Sequence, residues 1–284
     1  MSTSMGGKIM PLHDSIIEIT TNVLKGGCPI HCDKYCPQEL IVAHYKGPEY
    51  LSLEDHNRYV DCMPSYQCLS YCGFSEPFIN QKCIDMIEYS DQTGHPVEIC
   101  STLVGMNEDQ ARRLIKIPIA HFLLHHPDYY HNAKIPLTPR YWRVKEIIET
   151  GIEYLRDIRM SGCFTTVHVE DMARHPEKMY RFKSRRTCNF MDKLNYVMMP
   201  NGDLYYCCMT RSLSDKVGNM NETPYTELAA KHHDMGVRLG KDPNSICHIC
   251  PSSKNYYNEK GRELKDKLLA GKSIKRTILG DAFE

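Results

Sequence analysis

Apolar positions along this chain alternate between an extended and a helical spacing. From Ser15 to Val23 the residues run Ser-Ile-Ile-Glu-Ile-Thr-Thr-Asn-Val, a β-branched stretch that predicts a strand leading into Gly26-Gly27 and a group of cysteines. The spacing then predicts a helix at 52–62, a strand at 66–72, a helix at 78–92, a strand at 96–102 and a helix at 107–115. A short strand at 119–124, a long helix at 139–157 and a strand at 163–169 follow. Strand and helix alternate at about 30 residues per unit, so the fold class is α/β with a parallel sheet, and five or six units fit a partial or full β/α barrel. Chemistry in such a barrel belongs at the C-terminal ends of the strands.

The rhythm stops at the basic stretch from Arg174 to Arg186, read here as a boundary, though a solvated helix face explains it as well. Beyond it, Tyr196 to Met199, the turn Pro200-Asn201-Gly202-Asp203 and Leu204 to Cys208 predict a β-hairpin. A charged helical pattern closes the chain to about Ala270.

Charge and composition narrow the class. Lys plus Arg and Asp plus Glu both number 35 in 284 residues, and no basic block marks a phosphate-binding face, so nucleic acid is not an expected partner. Hydrophobic residues make up 42%, but no apolar run approaches ~18 residues and the first residues lack signal-peptide form. The expectation is a soluble, cytoplasmic protein without a membrane span. Its 14 cysteines then read as metal ligands rather than disulfides.

Cys28-Pro-Ile-His-Cys32-Asp-Lys-Tyr-Cys36 places three thiols directly after the first strand. Structural zinc closes its tetrahedron with four protein ligands, whereas a cubane iron-sulfur cluster held by three cysteines leaves one iron open. The segment resembles the radical S-adenosylmethionine (radical SAM) superfamily, whose usual motif is Cys-x3-Cys-x2-Cys with an aromatic residue before the last cysteine. Here the spacing is Cys-x3-Cys-x3-Cys, Tyr35 keeps the aromatic place, and Asp33-Lys34 carries the extra residue. His31 is read as a loop residue beside the cluster, the other reading being a ligand. Cys72-Gly73-Phe74-Ser75-Glu76-Pro77 is similar to the family's Gly-Gly-Glu-Pro segment. That likeness implies that Gly73, Ser75 and Glu76 hold the amino group of S-adenosylmethionine. Ser101 and Thr102 stand where relatives approach its ribose, although ordinary turn capping explains them equally.

A second set comprises Cys188, the pair Cys207-Cys208, and Cys247-His-Ile-Cys250. Four thiols suit either tetrahedral zinc or a fully capped cubane. Asn201 to Cys207, followed by Val217-Gly218-Asn219 and Tyr225 to Leu228, resembles the SPASM/twitch extension of radical SAM enzymes. The resemblance implies a partial (β/α)6-type barrel at 1–183, a small twitch domain of β-hairpin plus helix at 184–260, and a helical tail at 261–284. It implies a SAM-binding 4Fe-4S cluster on Cys28, Cys32 and Cys36. An auxiliary 4Fe-4S cluster falls to Cys188, Cys207, Cys247 and Cys250, with Cys208 the alternative to Cys207.

The remaining cysteines fit small buried positions. Because some relatives return a hydrogen atom from a cysteine, Cys72 and Cys163 near strand ends are candidate catalytic residues, joined by Glu170. The run His125 to His131 is a candidate for substrate binding or proton transfer, or a surface loop. The implied activity is reductive cleavage of S-adenosylmethionine to a 5′-deoxyadenosyl radical that abstracts a substrate hydrogen, with a flavodoxin- or ferredoxin-type electron donor. Oxidation of a small hydroxylated substrate such as a sugar or aminocyclitol is the leading expectation. Maturation of a ribosomally made peptide is the alternative, and only 27 residues precede Cys28 where a peptide-recognition domain is often placed.

Overall fold

The structure is a computed structural model that describes residues 15–32, 36, 38–127, 133–153, 155–159, 186–187, 194–208, 210, 213–248, 250, 254–255 and 258. Five parallel strands follow one another in space as in sequence: β1 (Ser15–Ile19), β2 (Cys68–Tyr71), β3 (Val97–Ser101), β4 (Ile119–His126) and β5 (Leu155–Arg159). Between them run α1 (Gln38–His44), α2 (Leu53–Asp61), α3 (Cys83–Gln92), α4 (Glu108–Leu114) and α5 (Pro139–Gly151). This is the singly wound order of a partial β/α barrel.

The helices start where the sequence carries caps. Ser52 accepts the Asp55 N–H ahead of α2, Asn107 and Gln110 form a reciprocal capping box on α4, and Thr138 followed by Pro139 opens α5. Their apolar stripes close on two rows of strand residues set by register. Ile17, Leu69 and Val97 stand side by side, as do Ile19, Tyr71, Ile99 and Phe122. All seven are at most 1% exposed, and each such side chain contributes roughly 1.5–3 kcal/mol when fully buried. Alternate positions on β1 and β3, including Glu18, Glu98 and Cys100, are only half-buried and point to the opposite face.

Beyond β1 the sheet continues through β7 (Leu194–Met198), β8 (Asp203–Tyr205) and β9 (Lys216–Asn219), in the order β5-β4-β3-β2-β1-β7-β8-β9. Strand β7 pairs with β1 in parallel, Ile17 opposite Tyr196, while β8 runs antiparallel to both of its neighbours, β7 and β9. The hairpin therefore extends the barrel sheet. Its Asn-Gly turn places Gly202 at φ 79°, where a Cβ would fall 2.6 Å from the Tyr59 hydroxyl. Helix α6 (Tyr225–Lys241) covers this region, with His232 between the rings of Tyr196 and Tyr206 at 4.4 and 4.5 Å. A separate two-stranded ladder joins β6 (Arg186–Thr187) to β10 (Lys254–Asn255). Among the described residues no helix is long and apolar enough to cross a membrane.

Several expected boundaries move. The helix expected at 139–157 ends at Gly151, and 155–159 is β5. Gly151 packs so closely on Ile115 that a Cβ would lie 2.5 Å from its Cγ2, so tertiary contact rather than local pattern sets that end. The stretch expected as one helix at 78–92 splits into a 3-10 turn at Pro77–Ile79 and α3, and β4 runs two residues past its expected end to include His125 and His126. Helix α1, immediately after the cysteine motif, was not expected. The strand expected at 163–169 and the C-terminal helical pattern lie outside the described residues.

Candidate functional site

Strand β1 does not end in a turn. Thr20, Thr21 and Asn22 follow it fully buried, and each is a splint for the segment after β2. Thr20 Oγ1 accepts the Phe74 N–H at 3.1 Å, Thr21 Oγ1 donates to the Pro77 carbonyl at 2.8 Å, and Asn22 Nδ2 donates to the Glu76 carbonyl at 2.9 Å. Asn80 adds bonds to the carbonyls of Thr21 and Leu51, both at 2.9 Å. Gly73 is required there: its φ is 63°, and a Cβ would sit 2.1 Å from Thr20 Oγ1.

After Gly27, at φ 78°, the chain enters the three-cysteine loop. The His31 N–H donates to the Cys28 carbonyl at 3.1 Å and the Cys36 N–H to the Cys32 carbonyl at 2.8 Å, so tight local turns present the thiols. Cys28, Cys32 and Cys36 line one half-open cavity together with Ser75, Glu76 and Thr102. His31 is exposed at φ 45° and does not line the cavity. Tyr35 lies outside the described residues.

Glu76 ties the ends of β2 and β3 together. Its carboxylate accepts from Ser101 Oγ at 2.6 Å, from Thr102 N and Oγ1 at 2.7 Å each, and from Phe78 N at 3.4 Å. Burial still pushes its pKa up to about 7, against those bonds. The structure thus places Ser101 and Thr102 first on Glu76, as the partners that hold a buried carboxylate. Ser75 is different, because its Oγ is buried in the cavity wall with no hydrogen-bond partner among the described residues, which leaves it able to bond a polar ligand there.

Cys72 and Cys100 share the same cavity wall. Tyr71 lies opposite Ile99 in the β2–β3 register, so the next residues, Cys72 and Cys100, are neighbours. Their thiols hydrogen-bond to each other, and that contact, followed by burial, holds the Cys72 pKa well above its usual value. The Ser70 hydroxyl lies 3.4 Å from Cys72 Sγ. His125, at the end of β4, completes this side, and burial pushes its pKa down to about 4, which keeps the ring neutral. Residues 128–132 of the same run, and the candidates Cys163 and Glu170, lie outside the described residues.

Burial pushes the Cys28 pKa up to about 11, so the free thiol keeps its proton, and a bound metal cation would displace it. Three thiols leave a tetrahedral zinc one ligand short, whereas a cubane held by three cysteines has one iron open to a co-ligand. The donor set, three thiols around a shared space with an orphaned hydroxyl opposite, fits a three-cysteine cluster with a co-ligand.

In the second set, Cys207 packs on the main core and Cys208 on the smaller cluster with Val23, Phe74 and Tyr205, so the two thiols face opposite sides. Cys247 is buried in a 3-10 turn, and the Cys250 N–H donates to the Ile246 carbonyl at 3.0 Å. Burial holds the pKa of Arg186 below its usual value, and the nearby Cys250 and Cys247 offset part of that effect. Cys188 lies outside the described residues, although Thr187, its neighbour in sequence, pairs with Lys254.

Gln38 and the run Thr20 to Asn22 carry no motif in the sequence, whereas His125 belongs to the expected His125 to His131 run. Polar residues continuing an apolar strand without a turn residue were the available sign for Thr20 to Asn22.

No family profile matches the sequence, and no curated protein matches it. Solved structures do resemble it. BtrN in complex with AdoMet and 2-DOIA superposes with a TM-score of 0.59 at 15% identity, covering 86% of this chain and 94% of that one. Native anSMEcpe with bound AdoMet and Cp18Cys peptide gives 0.51 at 10% identity, over 90% and 97%. Streptococcus suis SuiB bound to the precursor peptide SuiA gives 0.50 at 11% identity, over 83% and 69%. The singly wound parallel sheet of this chain is the fold of these AdoMet-bound structures, shared over most of both chains.

Proposed function

We propose that this protein is a radical SAM enzyme that reductively cleaves S-adenosylmethionine and removes a hydrogen atom from a small hydroxylated substrate, a sugar or aminocyclitol, oxidising it. The observation that carries the reading is the meeting of Cys28, Cys32, Cys36, Ser75 and Glu76 in one cavity at the C-terminal end of a parallel sheet. The small-substrate class is supported by the likeness to the structure that holds 2-DOIA, matched over 94% of its length.

When bound, the cluster and S-adenosylmethionine would supply the one-electron cleavage and the hydrogen abstraction. The chain's own residues do the rest. Cys28, Cys32 and Cys36 hold three irons, and the Ser75 hydroxyl and the backbone of 73–76 receive the polar end of the cofactor. Glu76, fixed by Ser101 and Thr102, holds the rims of β2 and β3 at a constant separation, so that the cofactor and the substrate face keep one geometry. Cys72 and Cys100 line the wall beside the cofactor, and neutral His125 is placed to accept the proton that the substrate's hydroxyl loses as it is oxidised. Cys188, Cys207, Cys247 and Cys250 are the proposed ligands that would hold an auxiliary cluster, which would supply an acceptor for one electron, with Arg186 beside Cys247 and Cys250 to offset negative charge there.

Anaerobic reconstitution with iron and sulfide, followed by dithionite and S-adenosylmethionine, tests the activity through 5′-deoxyadenosine detected by chromatography. Deuterium passing into that product from labelled sugars or cyclitols supports the substrate class. Transfer from peptides alone makes the protein a peptide maturase. An iron-loaded protein whose electron paramagnetic resonance signal ignores S-adenosylmethionine overturns the reading.

A further inference from the structure

Gln38 is the first residue of α1, two positions after Cys36, and its side chain is half-buried against the three-cysteine loop. Its amide spans three places at once. Nε2 lies 3.2 Å from Cys36 Sγ and 2.5 Å from the Phe74 carbonyl oxygen, while Oε1 accepts the Cys28 N–H at 3.3 Å. The amide's orientation is fixed by chemistry: the Phe74 carbonyl can only accept, so it faces NH2, and the Cys28 N–H can only donate, so it faces oxygen. Both amide hydrogens are therefore committed, and one of them points at a cysteine sulfur.

We propose that Gln38 is a positioning residue that fixes the Cys28–Cys36 loop against the 73–77 segment and raises the reduction potential of the cluster held there. This rests on the radical SAM reading above. A cluster gains one negative charge on reduction, and part of that charge resides on the ligand sulfurs. An N–H aimed at Cys36 Sγ stabilises the reduced form more than the oxidised one, so the potential rises. The bond to Phe74 gives the same side chain a second consequence. It couples the loop that carries the iron to the segment that receives S-adenosylmethionine, so loss of the amide loosens both together. No other side chain of this length supplies two donors and an acceptor without a charge: Met supplies none, and ionised Glu only accepts.

Two full-length variants separate the parts, Gln38→Met, which keeps length and loses all three bonds, and Gln38→Glu, which keeps an acceptor for Cys28. In the reconstituted protein the midpoint potential is expected to fall in the order wild type, Gln38→Met, Gln38→Glu. The first step is about tenfold in the reduction constant, equal to about 59 mV for one electron. In cluster-free protein, the Cys28 amide, which donates to Gln38 Oε1, is expected to exchange its hydrogen about fivefold faster in Gln38→Met, the equivalent of one net hydrogen bond, and to be little changed in Gln38→Glu. Variants that load iron, share the wild-type potential and show no faster Cys28 amide exchange overturn the inference and leave the radical SAM reading standing. Wild-type protein that loads no iron on the three cysteines overturns that reading instead, and the exchange rates still decide whether Gln38 holds the loop.

Discussion

His56 makes this protein's stability depend on pH in a way that can be calculated. The ring is fully buried on α2, with Nε2 2.8 Å from the Tyr71 hydroxyl and Nδ1 2.9 Å from Asn57 Oδ1, and burial pushes its pKa down to about 4. An unfolded histidine titrates near ~6.5, so the unfolded chain binds the proton first as pH falls. The contribution is complete above that value and is lost as pH drops from about 6.5 through about 4. Between pH 8 and pH 5 the loss is about 2 kcal/mol, and below both values about 3 kcal/mol. His56→Phe removes the titration while keeping an aromatic ring beside Tyr71 and Tyr89. Tyr71 keeps Met86 O at 3.0 Å and Ser90 Oγ at 2.7 Å, so the variant costs about 1 kcal/mol at pH 8, one net hydrogen bond. At pH 5 the order reverses, and the variant is the more stable by about 1 kcal/mol. Urea unfolding of the cluster-free, reduced chain followed by circular dichroism measures both points. A wild-type-to-variant difference that stays constant from pH 8 to pH 5 refutes the argument.

Three further outcomes are expected. Replacing Cys28, Cys32 and Cys36 together by Ala abolishes 5′-deoxyadenosine formation and leaves about half of the reconstituted iron on the auxiliary ligands; surviving cleavage would show the site to be elsewhere. Gly73→Ala forces a φ of 63° on a residue with a Cβ and drives that atom against Thr20, so thermal unfolding should register a loss of about 2 kcal/mol or more. Gly26→Ala, where nothing lies within 4 Å, is the matched control with little effect. Cys72 and Cys100, neighbours on adjacent strands about 4.8 Å apart, lie within disulfide range. Mild oxidation of cluster-free protein should link them, and peptide mass spectrometry that finds exposed Cys62 modified but no such crosslink would contradict their shared face.

Periodicity and caps are local, and so, apart from α1 and the 3-10 turn before α3, the type and order of the elements from β1 to α5 were written in the residues themselves. The cysteine motif was legible for the same reason, since Cys28, Cys32 and Cys36 are close in sequence. The pairing of chemistry across strands was not. That Cys72 faces Cys100, that Glu76 is held by Ser101 and Thr102, and that Gln38 reaches Cys28, Cys36 and Phe74 at once depend on register and loop path. No periodicity encodes these, because the partners lie 2 to 36 residues apart along the chain. The end of α5 shows the same limit: its apolar spacing runs on toward 157, but contact between Gly151 and Ile115 stops the helix and frees 155–159 to pair with β4. Local sequence determined the type of most elements and where the three clustered thiols lie. Only the fold decided which polar groups meet at the strand ends, because hydrogen bonds between distant segments form only after the sheet has set their register.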